Sequence, residues 1–482
     1  MPFRQGKITV KLFKRIAVSL LTGLLLKAGL GCAQNVANET FKKGMEYAVQ
    51  GRFEDAKEKF KEALKTDPTL GSAKDSLKVI EDLTDKKTES EAAIYFFKGL
   101  DYTLKWQWDK AIAEYDRATV LDPSFTEVYK YRGVVYFEKG HYDQAISDLN
   151  KAIEINPKCA GAYMNRGAAY SKKGKYDQAI SDFNKAIELN PSDAEAYMNR
   201  GIVYGHKGQF DQAFSDLNKA IEIRPTHAHT YFSRGLTYGT IGQYDQAISD
   251  LNKAIEIRPK HAESYYYRGT AYFYKGQYDQ AISDLNEAIE LNPSDSKAYN
   301  NRGLVYSQIG QYDQALSDFN RSIKSDPSHV NAYINRGATY EHLGQHNKAI
   351  SDYDKAIELN PRYAEAYSGR GNAYKGKGQY DRAISDFNEA IKLNPKFANA
   401  YTNRGVAYAE GKEQYDRAIS DFTKAIEMNP RDVTAYTNRG LAYYYRGEHD
   451  KAWEDVHKLQ SLGYPVHPGF LKALGEASGR QN

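Results

Sequence analysis

The chain has 482 residues, a formal net charge of +4 and only two cysteines, Cys32 and Cys159. Two cysteines supply neither a disulfide framework nor a zinc site. Arg4, Lys7, Lys11, Lys14, Arg15 and Lys27 place six uncompensated positive charges ahead of residue 33, so +4 becomes −2 for the rest of the chain; a near-neutral body with both signs interspersed excludes the clustered basic stripe of a nucleic-acid surface.

In chain order, residues 1–33 read as an export leader: a basic segment to Arg15, a largely apolar run from Ile16 to Leu26 (IAVSLLTGLLL), then the small residues Ala28, Gly29, Gly31 and Ala33. That run is shorter than the roughly 20 residues of a bilayer span and suits the core of a signal peptide. Gly31-Cys32-Ala33 fits cleavage after Ala33, Leu30-Gly31-Cys32 resembles a lipoprotein box that makes Cys32 the lipidated first residue, and an uncleaved anchor is the third reading. Cleavage in either mode places the remainder outside a bacterial cytoplasm, periplasmic or lipid-anchored to the envelope.

Beyond the leader the chain repeats itself. Arg-Gly recurs at Arg132-Gly133, Arg166-Gly167, Arg200-Gly201, Arg234-Gly235, Arg268-Gly269, Arg302-Gly303, Arg336-Gly337 and Arg370-Gly371, always 34 residues apart. A period this strict marks a stacked array of one supersecondary unit, so the length does not mean several globular domains. Twelve units begin at Ala37, Ala92, Thr126, Ala160, Ala194, Ala228, Ala262, Ser296, Val330, Ala364, Ala398 and Val433. The first occupies 37–70. In the insertion 71–91, Leu77, Ile80 and Leu83 predict a short amphipathic helix, and the charged run TDKKTES predicts a hinge. Eleven contiguous units fill 92–466, the one from Ala398 carrying an extra residue in its turn. Over 467–482, Phe470, Leu471 and Leu474 predict a helix capping the last apolar face.

Within the unit Ala160 to Asp193, Tyr163, Gly167 and Tyr170 share one helical stripe, and Ala179, Phe183 and Ala186 repeat that spacing on a second helix. Gly174 predicts a left-handed cap between them, and Asn190-Pro191 a stop. Counting from each unit's start, this puts Tyr at positions 4 and 11, Gly at 8, Ala at 20 and 27, an apolar or aromatic residue at 24 and Pro at 32. The pattern resembles the tetratricopeptide repeat (TPR) family, with Tyr for its Trp and Arg for its Leu. The resemblance implies an all-α fold, a right-handed superhelical α-solenoid of about twelve tandem helix-turn-helix repeats with a C-terminal capping helix.

Of the 40 tyrosines, 30 stand at positions 4, 11 and 17 and are assigned to packing; Tyr266, Tyr267, Tyr274, Tyr444 and Tyr445 are expected on contact surface. Each Arg at position 7 comes with Asp at position 23, as in Arg166 with Asp182 and Arg302 with Asp318, and Lys98 comes with Glu114. The matched change predicts structural pairs between helices. His227, His261 and His329 share position 34 and are expected at helix starts. No metal site, cofactor site, nucleophile elbow, phosphate loop or HExxH motif is found, so the chain is expected not to be an enzyme.

The family resemblance implies that first helices line a concave face, with positions 2, 5, 6, 9, 12 and 13 reaching the groove. Position 6 holds Asn165, Asn199, Asn301, Asn335, Asn403 and Asn438. An amide both donates and accepts, so such a row can match peptide main chain, and it resembles the asparagine ladder by which a family member holds substrate backbone. The competing role for these residues is local, filling or capping beside the Arg-Gly corner. Met164, Met198, Ile202, Phe232, Leu236, Tyr266 and Ile334 are expected to form the apolar part of the groove. Lys130, Lys297 and Asn372 suit a carboxylate clamp only singly, in units far apart. The expected function is a protein-protein interaction scaffold for extended or amphipathic peptide segments, attached to a membrane only through its leader or a lipid. The alternative is a structural subunit or self-associating spacer of a cell-envelope assembly.

Overall fold

A computed structural model describes residues 32–68, 70–85 and 90–480. The leader to residue 31, the side chain of Cys32 and the charged residues 86–89 of the expected hinge lie outside the described residues. Among the described residues the chain is all-α, with 26 helices forming tandem hairpins that pack on their neighbours.

The helices Ala160–Lys172 and Tyr176–Leu189 illustrate why each hairpin forms. The second helix buries Ala179, Asp182, Phe183 and Ala186, one stripe at helical spacing. Gly167 lets that stripe approach, because a Cβ there would stand 2.9 Å from the Phe183 ring and 3.2 Å from the carbonyl oxygen of Ala179. Phe183 is fully buried, which stabilises the pair by about 2–3 kcal/mol. The turn is left-handed at Gly174, φ +71°, a conformation that glycine adopts without strain. Trp106 (φ +60°) and Glu413 (φ +50°) hold left-handed turns without being glycine. Glu413 follows a first helix that the extra residue extends to Lys412; nothing in the structure explains Trp106. The second helix ends at Leu189 because the following Asn190-Pro191 disfavours helical backbone and removes a donor.

The chain forms two compact units, one ending at Ala271 and one starting at Tyr272. The first contains six hairpins plus the helix Gly71–Thr84, inserted after hairpin Cys32–Val49/Phe53–Thr66. Ala73, Val79 and Ile80 of the inserted helix join a hydrophobic cluster extending from Phe41 to Val135. Asp75 accepts hydrogen bonds from Lys130 Nζ at 2.6 Å and Tyr131 Oη at 2.9 Å, fastening the insert to helix Thr126–Glu138. The second unit contains five hairpins between Ser296 and Ser461, preceded by Tyr278–Leu291 and followed by Pro468–Ser478. In that last helix Leu474 is fully buried, Phe470 meets Tyr444 edge-on at 5.8 Å, and Ser478 Oγ accepts from Trp453 Nε1 at 3.0 Å.

Candidate functional site

The Arg at position 7 binds three helices together. Arg166 donates from Nε and Nη2 to the two carboxylate oxygens of Asp182 at 2.8 and 2.7 Å, and from Nη1 to Asn150 Oδ1 of the preceding repeat at 2.6 Å. Arg302 does the same with Asp318, at 2.7 Å for both bonds, and with Asn286 at 2.6 Å. The hydrogen bonds to Asp182 raise the Arg166 guanidinium above its ordinary value, against the effect of burial. A two-pronged Arg–carboxylate pair with low exposure fixes geometry as well as charge, so this row is occupied and does not face a ligand. Lys98 departs from the pattern: Glu114 accepts from Arg117 at 3.0 Å, while Lys98 lies over the Tyr95 ring at 5.1 Å. Arg117 stands one turn along the same helix as Glu114, a spacing at which side chains meet.

Asn165 and Asn199 lie in the first unit, and Asn301, Asn335, Asn403 and Asn438 in the second. Local bonds use part of their capacity. Asn199 Nδ2 points to Met164 Sδ at 3.8 Å; Asn335 Nδ2 donates to Asn300 Oδ1 at 2.9 Å, and Asn300 Nδ2 to Asn301 Oδ1 at 3.3 Å. Asn438 Nδ2 donates to the Thr434 carbonyl on its own helix at 3.0 Å. The row breaks at Gly369, where a Cβ would stand 2.4 Å from the ring of Tyr353.

Three residues expected in an open apolar groove are instead core. Met198, Phe232 and Tyr266 are 4%, 6% and 6% exposed. Met198 packs with Leu217 and Ala220, and Phe232 is enclosed by His229, His261 and Tyr267, with ring centroids 5.8, 5.0 and 5.7 Å away. Tyr266 meets Tyr267 edge-on at 4.9 Å, so both leave the expected contact surface. Bulky side chains on successive first helices fill the space between those helices, and the same size that suggested a groove surface closes it. Met164, Leu236 and Ile334 are half-buried, as are Tyr274 and Tyr444, and Tyr445 is exposed. Lys130, engaged by Asp75, is not open to a carboxylate ligand. His227 stands just before Ala228–Thr240, where its side chain bonds Thr230 Oγ1 at 2.9 Å and no backbone N–H; among the described residues no group of three His, Cys, Asp or Glu is placed to hold a metal ion.

A cavity of about 260 Å³ opens across three consecutive first helices, Thr126–Glu138, Ala160–Lys172 and Ala194–Lys207. The repeat register turns its lining into rows. Position 6 supplies the amides of Asn165 and Asn199, position 9 the apolar Val134, Ala168 and Ile202, and position 13 the titratable Glu138, Lys172 and His206. Met164 and Phe137 add apolar surface. Burial raises the Glu138 carboxyl and lowers the Lys172 ammonium, each partly offset by the other's charge. His206 is lowered by burial and by Lys172, and stacks on Tyr176 at 5.8 Å with planes 10° apart. The cavity can therefore offer main-chain hydrogen bonding, an apolar strip and opposite charges side by side. Position 13 carries no recurring residue type to mark it, holding Glu138, Lys172, His206, Thr240 and Tyr274 in successive repeats; the groove-facing position itself was the available signal.

Sequence profiles described as tetratricopeptide repeat match residues 160–193, 296–329 and 330–363, 192–260, and 251–283 and 352–385. A profile described as TPR repeat matches 99–140, 133–174, 269–310, 371–410 and 412–447. No curated protein matches the sequence. Among solved structures, YrrB, a TPR protein with an unusual peptide-binding site, is 28% identical, covering 38% of this chain and 95% of its own, with a TM-score of 0.32. MamA is 30% identical, covering 34% of this chain and 96% of its own, with a TM-score of 0.31. Yeast Tom70 is 16% identical, covering 80% of this chain and 95% of its own, with a TM-score of 0.42.

Proposed function

The chain belongs to the tetratricopeptide repeat family, and from that premise we propose that it is a non-catalytic scaffold that holds an extended or amphipathic segment of a protein partner across the first helices of its repeats. The cavity over Thr126–Glu138, Ala160–Lys172 and Ala194–Lys207 carries this reading, because an apolar row runs in register across three repeats and an amide row across the last two of them. Asn165 and Asn199 are its main-chain contacts. Two amide contacts at about 0.5–1.5 kcal/mol each must offset the ordering of the bound segment, so binding is moderate and tolerant of sequence.

The test is fluorescence anisotropy of the purified chain with a panel of extended, labelled peptides, comparing it with the variant Asn165→Ala/Asn199→Ala. Affinity is expected to fall about tenfold, a loss near 1.4 kcal/mol, with an unchanged melting temperature. Unchanged affinity removes the amide role, and a large drop in melting temperature assigns the amides to local filling. The scaffold is further proposed to act outside a bacterial cytoplasm, supported by the basic-then-apolar composition of residues 1–33. Incorporation of a labelled lipid precursor at Cys32, abolished in Cys32→Ser, would establish the anchor; cleavage after Ala33 without label would leave the protein free.

A further inference from the structure

We propose that the segment seated in this cavity is of mixed charge, with a Lys or Arg side chain against Glu138 and an Asp or Glu side chain against Lys172. The inference rests on the groove reading above and adds the chemistry of the partner. Several charged side chains around the cavity are held in ion pairs. Lys173 reaches Asp143 at 2.5 Å, Lys207 reaches Asp177 at 2.5 Å, and Arg166 and Arg200 are held by Asp182 and Asp216. Glu138 and Lys172 are not. They occupy the same register on adjacent first helices and both line the cavity, yet burial is the largest influence on each and only the other's charge offsets it, while Lys172 also faces His206.

Three classes of ligand can then be compared. A neutral or apolar ligand would strip more water from both charges and return nothing for it. A ligand of one sign would complement one residue and oppose its neighbour. A segment carrying both signs completes both residues at once, while its intervening side chains meet the strip of Val134, Ala168 and Ile202. First helices of neighbouring repeats stand about 10 Å apart, and an extended chain advances about 3.3 Å per residue. The two ligand charges therefore fall two or three residues apart.

The experiment uses the full chain and a Ser/Thr-rich host peptide in four forms at each spacing: Lys with Glu, Lys with Lys, Glu with Glu, and Gln with Gln. Both orders of the mixed pair are included, because a main chain held by amides can run either way. In anisotropy titrations a mixed peptide is expected to bind about tenfold tighter than the neutral one, with both single-sign peptides weaker than the mixed one. In Glu138→Gln/Lys172→Gln the charge preference is expected to shrink to within about twofold, with the neutral peptide bound at least as tightly as by the wild type because two charges no longer lose water. Equal affinity for neutral and mixed peptides, or tighter binding of a single-sign peptide, would overturn the mixed-charge assignment while leaving the groove reading intact. Failure of every peptide to bind would overturn both.

Discussion

In the repeat beginning at Val330, position 24 is Tyr353, and the next repeat has Gly369 where Asn is the commonest residue. Phe183, Phe319 and Phe387 hold the same position 24 and are followed by Asn199, Asn335 and Asn403, so an aromatic ring by itself tolerates the amide. Tyr353 Oη donates to Glu341 Oε2 at 3.4 Å, and its ring lies 2.4 Å from where a Gly369 Cβ would be. Gly369→Asn is therefore expected to destabilise its repeat by about 1–3 kcal/mol, the usual cost of overpacking, and Tyr353→Phe is expected to relieve much of that loss. Hydrogen exchange in helix Ala364–Gly376 measures both; equal exchange in wild type and Gly369→Asn would show that the ring gives way freely. The sequence displays Gly369 as a missing ladder residue, but the space is taken by the Tyr353 side chain one repeat earlier, which periodicity cannot reveal. By contrast, the pairing of Arg166 with Asp182 was legible because both partners recur together. Their third member, Asn150, was not, because position 25 also carries Asp116, Asp354 and Thr423 as partners of the same arginine row.

Helices and turns were legible wherever the constraint is local: glycine at a left-handed turn, proline after a second helix, and a stripe of Ala and aromatic residues. Contacts between consecutive first helices were not, because position 5 reads alike whether its side chain is half-buried, as in Met164, or enclosed, as in Phe232. The enclosure of Phe232 brings His227, His229 and His261 together, with His227 and His229 centroids 6.3 Å apart. Burial is the first cause that lowers all three, to about 4 for His227 and about 3 for His229. Arg224 and Arg258 reinforce it, Glu195 engages Arg224 at 3.5 Å, and Glu263 opposes it at His261. The Nδ1 of His229 is buried without a hydrogen-bond partner. Since the folded state keeps these rings neutral, their contribution is fully present above the ordinary histidine value near 6.5 and is lost as pH falls through the folded values. At pH 5 a single depressed histidine costs up to about 2 kcal/mol. Helix Ala228–Thr240 is accordingly expected to lose protection against hydrogen exchange between pH 7 and pH 5, after correction for intrinsic rates. His229→Phe is expected to flatten that dependence, and an identical pH profile in the variant would place the acid sensitivity elsewhere.

At the scale of the whole molecule, a repeat array draws its stability from each hairpin and from the interface it shares with its neighbours, so an uncovered end frays first. The helix Pro468–Ser478 covers such an end in the second unit: Leu474 is fully buried among Ala452, Trp453 and Val456, and Trp453 Nε1 donates to Ser478 Oγ. Placing a carboxylate there, Leu474→Asp, removes an apolar contact and buries an unpaired charge, which costs more than about 3 kcal/mol where the side chain cannot escape. The last helix then undocks in preference to retaining the charge. Its loss exposes the face of Val433–Arg446 and His449–Ser461, and their exchange is expected to accelerate by at least an order of magnitude. Ala160–Leu189, many interfaces removed along the chain, is expected to keep its wild-type exchange. A uniform acceleration throughout would mean that the chain unfolds as one cooperative body, and nearest-neighbour coupling would not describe it.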